Sequence, residues 1–253
     1  MSGTVSPKEA KKINPDFFKN RPADVNWTLH VIDDQGKHHK FVGVDWEARS
    51  RFGRVTNEVV VGADGQPQFD RPAYHEAPNV NVIAWGRDVR TGEVKIAIIT
   101  EERPHADHPE KLDSSVSLKF AQIPMGFMDK IIGQEGMAKL EIGETAAIRE
   151  IGEETGASVI RGWTQPAYPW HNPSPSFVAT WSDLYFVEVD LDRIGEIKES
   201  HGEQIFKAEY LPIKELLARI REGQGTDGAI FRACTSLSLL MIFFACYPEF
   251  WPS

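Results

Sequence analysis

Residues 146–157, AAIREIGEETGA, constrain the chain more than any other stretch. They read as the second half of a helix that begins at Gly143 or Ile142, takes Glu144 in its first turn and stops at Gly156. At about 100° per residue, Glu153 lies about 60° to one side of Glu150 and Glu154 about 40° to the other. The three carboxylates therefore share one face, although like charges at spacings of three and four oppose helix formation. Ala146 and Ala147 point the same way one turn earlier and leave that face open, while Ile148, Ile151 and Thr155 lie where a core could take them. Clustered carboxylates under open space offer the hard-oxygen surroundings that Mg²⁺ or Mn²⁺ prefers, and a divalent cation would relieve the repulsion. Taken alone, the same residues also suit a solvated acidic face.

The rest of the chain is acidic too. With 28 Lys+Arg against 37 Asp+Glu, the formal charge is −9, so general affinity for nucleic acid or anionic membranes is not expected. An anionic substrate would need locally placed cations or a metal. The 253 residues suffice for one large domain or a small domain plus a larger one. Cys234 and Cys246 are too few for a disulfide framework, so a reducing cytoplasm is expected, with both thiols buried as packing groups. The opening MSGTVSPKEAKKINPDFF lacks the apolar run of a signal peptide. The most apolar segment, residues 237–247, is far shorter than the roughly 20 residues that span a bilayer; a buried C-terminal helix or dimer contact is expected, and no membrane.

Strand-like and helix-like runs then set the organisation. Residues 1–22 read as a loosely held arm, 23–75 as a small β domain and 76–253 as the main domain. In the small domain WTLHVID, KFVGVDW and RVTNEVVVGADGQ suit an antiparallel sheet of about three strands, and residues 71–79 read as a linker. Next come the strands NVNVIAWG and EVKIAIITEE joined by the turn DVRTG, and a further strand in SLKFAQIPMGFMD. Beyond the glutamate helix lie a loop, WTQPAYPWHNPSPS, a strand, WSDLYFVEVDL, and an amphipathic helix, LPIKELLARIREGQ. Mixed strands and helices in this order indicate an α/β or α+β fold.

The pattern E-x7-R-E-I-x-E-E-x-G-A covers residues 141–157. It resembles the signature of the Nudix hydrolases, G-x5-E-x7-R-E-U-x-E-E-x-G-U with U aliphatic, enzymes that cleave a nucleoside diphosphate linked to another group. Every position from the first Glu onward is filled, Ala157 being a small choice for the last. The opening Gly should lie six residues before Glu141, where this chain has Glu135; Gly126, in IPMGFMD, reads as its counterpart, with about nine extra residues in KIIGQEGMAKL. The resemblance implies a mixed-sheet α/β/α sandwich with a small N-terminal antiparallel β domain. It also implies that Glu150, Glu153 and Glu154 hold Mg²⁺ or Mn²⁺ with the main-chain carbonyl of Met125 or Gly126. Arg149 would orient the glutamates, and Glu141 would reach in from the preceding loop. Gly152 would cost roughly 1 kcal/mol relative to Ala and reads only as close packing.

Outside that pattern, several phrases resemble the ADP-ribose pyrophosphatase branch of the family. TEERP resembles its Q-aromatic-R phrase, which makes Arg103 either a cation for the pyrophosphate or a surface arginine. IPMGFMD resembles P-A-G-L-I-D, NPSPSF resembles S-P-G-F, and REGQGTDGAIFRACTSLSLL resembles G-x-I-x-D-A-x-T. The implied reaction is hydrolysis of ADP-ribose, or a related nucleoside-diphosphate sugar, to AMP and ribose 5-phosphate. The base that takes the water's proton would come from ESHGEQIF, Glu203 before Glu199, with Glu150 or Glu153 as alternatives. Trp27, Phe41 and Trp46 are candidates to stack an adenine ring, a homodimer is expected, and core or interface packing explains each aromatic equally well. A dinucleotide or dinucleoside-polyphosphate hydrolase and a non-catalytic nucleotide-binding protein of the same fold are the rival readings; such non-catalytic proteins usually lose the glutamates retained here. His105 and His108 have no Cys nearby to make a zinc site.

Overall fold

The computed structural model describes residues 3–5, 29–31, 41–50, 53–61, 67–103, 118–132, 138–160, 165–171, 182–197, 205–231 and 234–251. The chain divides into two compact units, Met1–Ala77 with Ser174–Thr180, and Pro78–Pro173 with Trp181–Ser253. In the first, β1 (Gly3–Val5) pairs antiparallel with β2 (Leu29–Val31). Strands β3 (Phe41–Ser50), β4 (Gly53–Val61) and β5 (Pro67–Glu76) form a separate three-stranded antiparallel sheet. Two expectations change here. Strand β1 falls within the expected arm, and the third strand of the sheet is β5, in much of the segment expected as a linker. Among the described residues strand β5 pairs only with β4, and such an edge is where prolines like Pro67 and Pro72 are tolerated. Buried Thr56 of β4 ties the two together, its Oγ1 2.9 Å from His75 Nε2.

The second unit is built on an eight-stranded mixed sheet. Its strands are β6 (Asn79–Arg87), β7 (Val94–Arg103), β8 (Leu118–Gln122), β9 (Met125–Phe127), β12 (Ala157–Val159), β13 (Gln165–His171), β14 (Ser182–Ile194) and β15 (Ile205–Pro212). Two shorter strands, β10 (Lys130–Ile132) and β11 (Ala138–Leu140), make a hairpin of their own. The main path runs β12-β14-β6-β7-β15, with β14 parallel to β6 and β6 antiparallel to β7. Strand β6 is buried on both faces, as its continuous apolar run VIAW requires. Its turn to β7 is set by Asp88, whose Oδ1 accepts from the amides of Arg90 and Thr91 at 2.9 and 3.2 Å. The Lys95 ammonium at 2.7 Å, with those two amides, lowers the Asp88 carboxyl to about 2.

Strands β6 and β7 pair only over Trp85–Arg87 and Val94–Ile96, and then part. Beyond that point β8 pairs with β7 and β9 with β6. The run SLKFAQIPMGFMD is thus two strands, with Ile123 and Pro124 crossing from one partner to the other; Val82 N donates to Pro124 O at 2.9 Å. The segment expected as a loop after residue 162 contains β13, a strand with two register shifts that, among the described residues, pairs only with β14. Its Pro166 and Pro169 hid it, for the same edge reason as in β5.

Among the described residues three α-helices complete the unit: α1 (Gly143–Thr155), α2 (Ile213–Glu222) and α3 (Cys234–Cys246). Helix α1 covers one face of the sheet, where Ala146, Ala147 and Ile151 pack with Val80, Val82, Ala84, Ala97 and Val187. Helices α2 and α3 cover the other, where Leu216, Leu239, Leu240 and Phe243 pack with Ile83, Ile96, Ile98 and Phe186. The result is the α/β/α sandwich with a mixed sheet. Helix α3 is the apolar C-terminal segment, and Cys246 at its last position is exposed rather than buried. Among the described residues no helix is long and apolar enough to cross a membrane.

Candidate active site

Helix α1 has the bounds its caps dictate: it starts after Ile142 and stops at Gly156, whose left-handed φ of 67° suits glycine. A Cβ there would also lie 2.4 Å from the Gly195 carbonyl, whose amide donates to Gly156 O at 2.7 Å. The buried positions of the helix are 143, 146, 147, 150, 151, 154 and 155, one stripe of helical period. Glu150 and Glu154 belong to that stripe, with 4% and 1% exposure. The expected open acidic face is therefore closed. Ala146 and Ala147, fully buried, bring the helix close to the sheet and tuck the carboxylates beneath β9. Ile148, expected in the core, is exposed, and Gly152 has open space where a Cβ would go instead of a close neighbour.

Buried carboxylates need partners. Arg149 supplies them with every N–H it has. Nη1 donates to Glu150 Oε1 at 2.7 Å and Glu153 Oε2 at 3.2 Å. Nε and Nη2 grip the two oxygens of Glu141 at 3.3 and 2.9 Å, and Nη2 also donates to the Phe127 carbonyl at 2.8 Å. Asp129 adds a further carboxylate 3.6 Å from Nε. Burial alone would lower the Arg149 guanidinium, but these carboxylates, Glu141 and Glu150 foremost, hold its pKa above the ordinary value. Glu154 is anchored separately: the Met125 amide donates to its Oε2 at 3.0 Å.

Glu141 precedes the helix and is itself buried. Burial pushes its carboxyl up, yet the Arg149 hydrogen bonds and the Asp129 amide, 3.0 Å from Oε2, win and hold it below its usual range. The Glu141 amide returns a bond to the Asp129 carbonyl at 2.7 Å. This reciprocal pair closes the base of the β10–β11 hairpin, so the two short strands stand between Asp129 and Glu141 and leave Glu141 beside β9. Gly126, the counterpart of the pattern's displaced glycine, faces Glu150: a Cβ there would fall 1.9 Å from the Glu150 Cδ. Only a residue without a side chain lets β9 approach that carboxylate.

The structure thus brings together Glu141, Arg149, Glu150 and Glu153, with Glu154 and Met125 joined alongside. Asp129 and the Phe127 carbonyl, assigned no role from sequence, belong to the same network; the signal for Asp129 was the last letter of GFMD. Arg103 is the final residue of β7, while Phe41 and Trp46 lie on β3 in the first unit. Trp27, Glu199 and Glu203 lie outside the described residues. A cleft of about 380 Å³ lined by Arg87, Lys214, Phe250 and Trp251 touches none of Glu141, Glu150, Glu153 and Glu154.

Four carboxylates around one guanidinium, with Glu154 a turn farther on, leave the site short of positive charge. Three helix glutamates and a main-chain carbonyl are the hard-oxygen donors that Mg²⁺ or Mn²⁺ takes, so the donor set fits such an ion. In this arrangement the carboxylates are turned onto Arg149 and the Met125 amide, and no three His, Cys, Asp or Glu side chains among the described residues surround a common point.

No protein-family model matches the chain, and no curated protein matches it. Among solved structures, it is similar to the Nudix domain of Shewanella oneidensis NrtR complexed with ADP ribose: 12% identity, 68% of this chain, 88% of that one, TM-score 0.38. It is also similar to a C. elegans Ap4A hydrolase in a binary complex: 13% identity, 68% of this chain, 98% of that one, TM-score 0.38. At that score the likeness decides neither fold nor activity. The fold rests on its strand order and the site on its contacts.

Proposed function

We propose that the chain is a Nudix-type, metal-dependent pyrophosphohydrolase acting on ADP-ribose or a related nucleoside-diphosphate sugar. The observation that carries this reading is the Arg149 network, in which one guanidinium binds Glu141, Glu150 and Glu153 beside a separately anchored Glu154. A buried acidic set of this kind contributes little as packing and is suited to a cation. Glu150, Glu153, Glu154 and the Met125 carbonyl would hold Mg²⁺ or Mn²⁺, which when bound would offset charge building on the diphosphate oxygens. Arg149, locked by Glu141 and the Phe127 carbonyl, keeps the glutamates from splaying. Glu203 is the proposed base: it takes a proton from the water whose oxygen bonds to phosphorus as the bond to the bridging oxygen breaks, releasing AMP and ribose 5-phosphate. Arg103 is the proposed cation for the diphosphate, and Trp27, Phe41 and Trp46 the proposed adenine contacts. A cytoplasmic homodimer with a small N-terminal β domain completes the proposal.

The test is incubation with Mg²⁺ and separately Mn²⁺ against ADP-ribose, nucleotide sugars, NADH and diadenosine polyphosphates. Glu154→Gln is the control, because a glutamine oxygen can still accept from the Met125 amide and preserve the fold. AMP from ADP-ribose with wild type alone is the expected result. Cleavage only of another panel member would replace the substrate, and nucleotide binding without turnover would replace the enzyme by a binding protein.

A further inference from the structure

Among the described residues, one buried side-chain polar atom lacks a hydrogen-bond partner. Gln122, the last residue of β8, is 6% exposed, and its side-chain Nε2 has no hydrogen-bond partner among the described residues. An unpaired buried amide is a standing cost that packing alone gives no reason to keep.

Its position supplies a reason. Gln122 pairs across the ladder with Ile99 of β7, so the two side chains emerge on the same face of the sheet. Ile99 is two residues from Ala97, which packs against Ala146, Ala147 and Ile151 of α1. The flanking Ala121 and Ile123 join the core on the opposite face. Gln122 therefore points to the side that carries the glutamates, three residues before Met125, whose amide holds Glu154. It also stands where the chain leaves β7 for β6, at the parting of the sheet, the kind of place where ligands enter open α/β sheets.

We infer that Gln122 is a substrate-binding residue whose side-chain amide donates to a non-bridging oxygen of the diphosphate. The inference rests on the pyrophosphohydrolase reading. On a face otherwise lined with carboxylates, a neutral donor can approach an anionic oxygen and satisfy its own unmet hydrogen bond there. A methionine of similar length would keep the packing and remove the donor.

The experiment compares wild type with Gln122→Met. It measures Tm without ligand, Kd for the α,β-methylene analogue of ADP-ribose with Mg²⁺, and kcat and KM for ADP-ribose. The expected result is a Tm raised by roughly 3 °C or more, as the unpaired amide is removed, with binding of the analogue weakened roughly tenfold to a hundredfold. A more stable variant that binds and turns over as wild type does would overturn the inference and leave the enzyme reading intact. A wild type that neither binds nor cleaves diphosphates would overturn both. Should Gln122→Met fail to fold, the side-chain amide signals of Gln122 in ¹⁵N-labelled wild type decide: movement on adding the analogue supports the contact, and stationary signals refute it.

Discussion

Replacing Arg149 tests the site most directly, because the guanidinium holds so much of it. Alanine would leave Glu141, 6% exposed, with the Asp129 amide alone among the described residues, and would strip Glu150, 4% exposed, of its 2.7 Å partner. Removing one side of a buried ion pair costs about 3–5 kcal/mol. Arg149 keeps 23% of its side chain in solvent, and screening there favours the lower end, about 3 kcal/mol. Lysine retains the charge but concentrates three donors at one point, so it cannot fork across Glu141 and still reach Glu150. At least two of the five bonds go, which at about 1 kcal/mol each sets the loss near 2 kcal/mol. At about 2–4 °C per kcal/mol for a protein of this size, Tm should fall by roughly 4–8 °C for Arg149→Lys and 6–12 °C for Arg149→Ala. Urea unfolding followed by circular dichroism gives the order independently. Adding Glu141→Gln to Arg149→Ala should recover part of the loss, since a neutral amide left without its partner is cheaper than a charge. An Arg149→Lys midpoint equal to wild type, or strictly additive losses in the double variant, would refute the claim that the fork carries the stability.

Two other perturbations separate geometry from charge. Gly126→Ala should force the Glu150 carboxylate off its place, since the new methyl would fall within 1.9 Å of it; metal affinity measured by calorimetry should drop while the helix content by circular dichroism is kept. Glu209, distant from α1 in sequence, offers a pH control. Burial would raise its carboxyl, but hydrogen bonds from Thr226 and Lys207 and the charges of Lys207 and Arg219 hold it below its ordinary 4.5. A depressed carboxylate contributes stability above its ordinary pKa and loses it as pH falls through the folded value. The Tm gap between wild type and Glu209→Gln should therefore be full near pH 6 and close as pH drops below about 4.5; a gap independent of pH would exclude that linkage.

Some of this architecture was legible in the chain because local chemistry writes it there. Gly156 must accept a left-handed φ to end α1, and the DVRTG turn follows from one aspartate capping two amides. What escaped was set by neighbours distant in sequence. Angular spacing separates Glu150 from Ile151 by about 100°, which suits two faces or the edges of one stripe. Only the close approach of the sheet, permitted by Ala146 and Ala147, makes it one stripe and buries the acids. Strands β5 and β13 contain prolines that argue against strands until their edge positions are known. The extra length before Glu141 was countable, but its two strands of three residues each are too short for an alternation to announce them.

That extra length has a consequence of its own. Because Asp129 and Glu141 clasp each other in both directions at the foot of the β10–β11 hairpin, strands β10 and β11 hang from a fixed point. Exchanges within those two strands should therefore leave the guanidinium and its carboxylates in place. The hairpin is a graft point: what surrounds the Arg149 network can change while the network itself keeps its place.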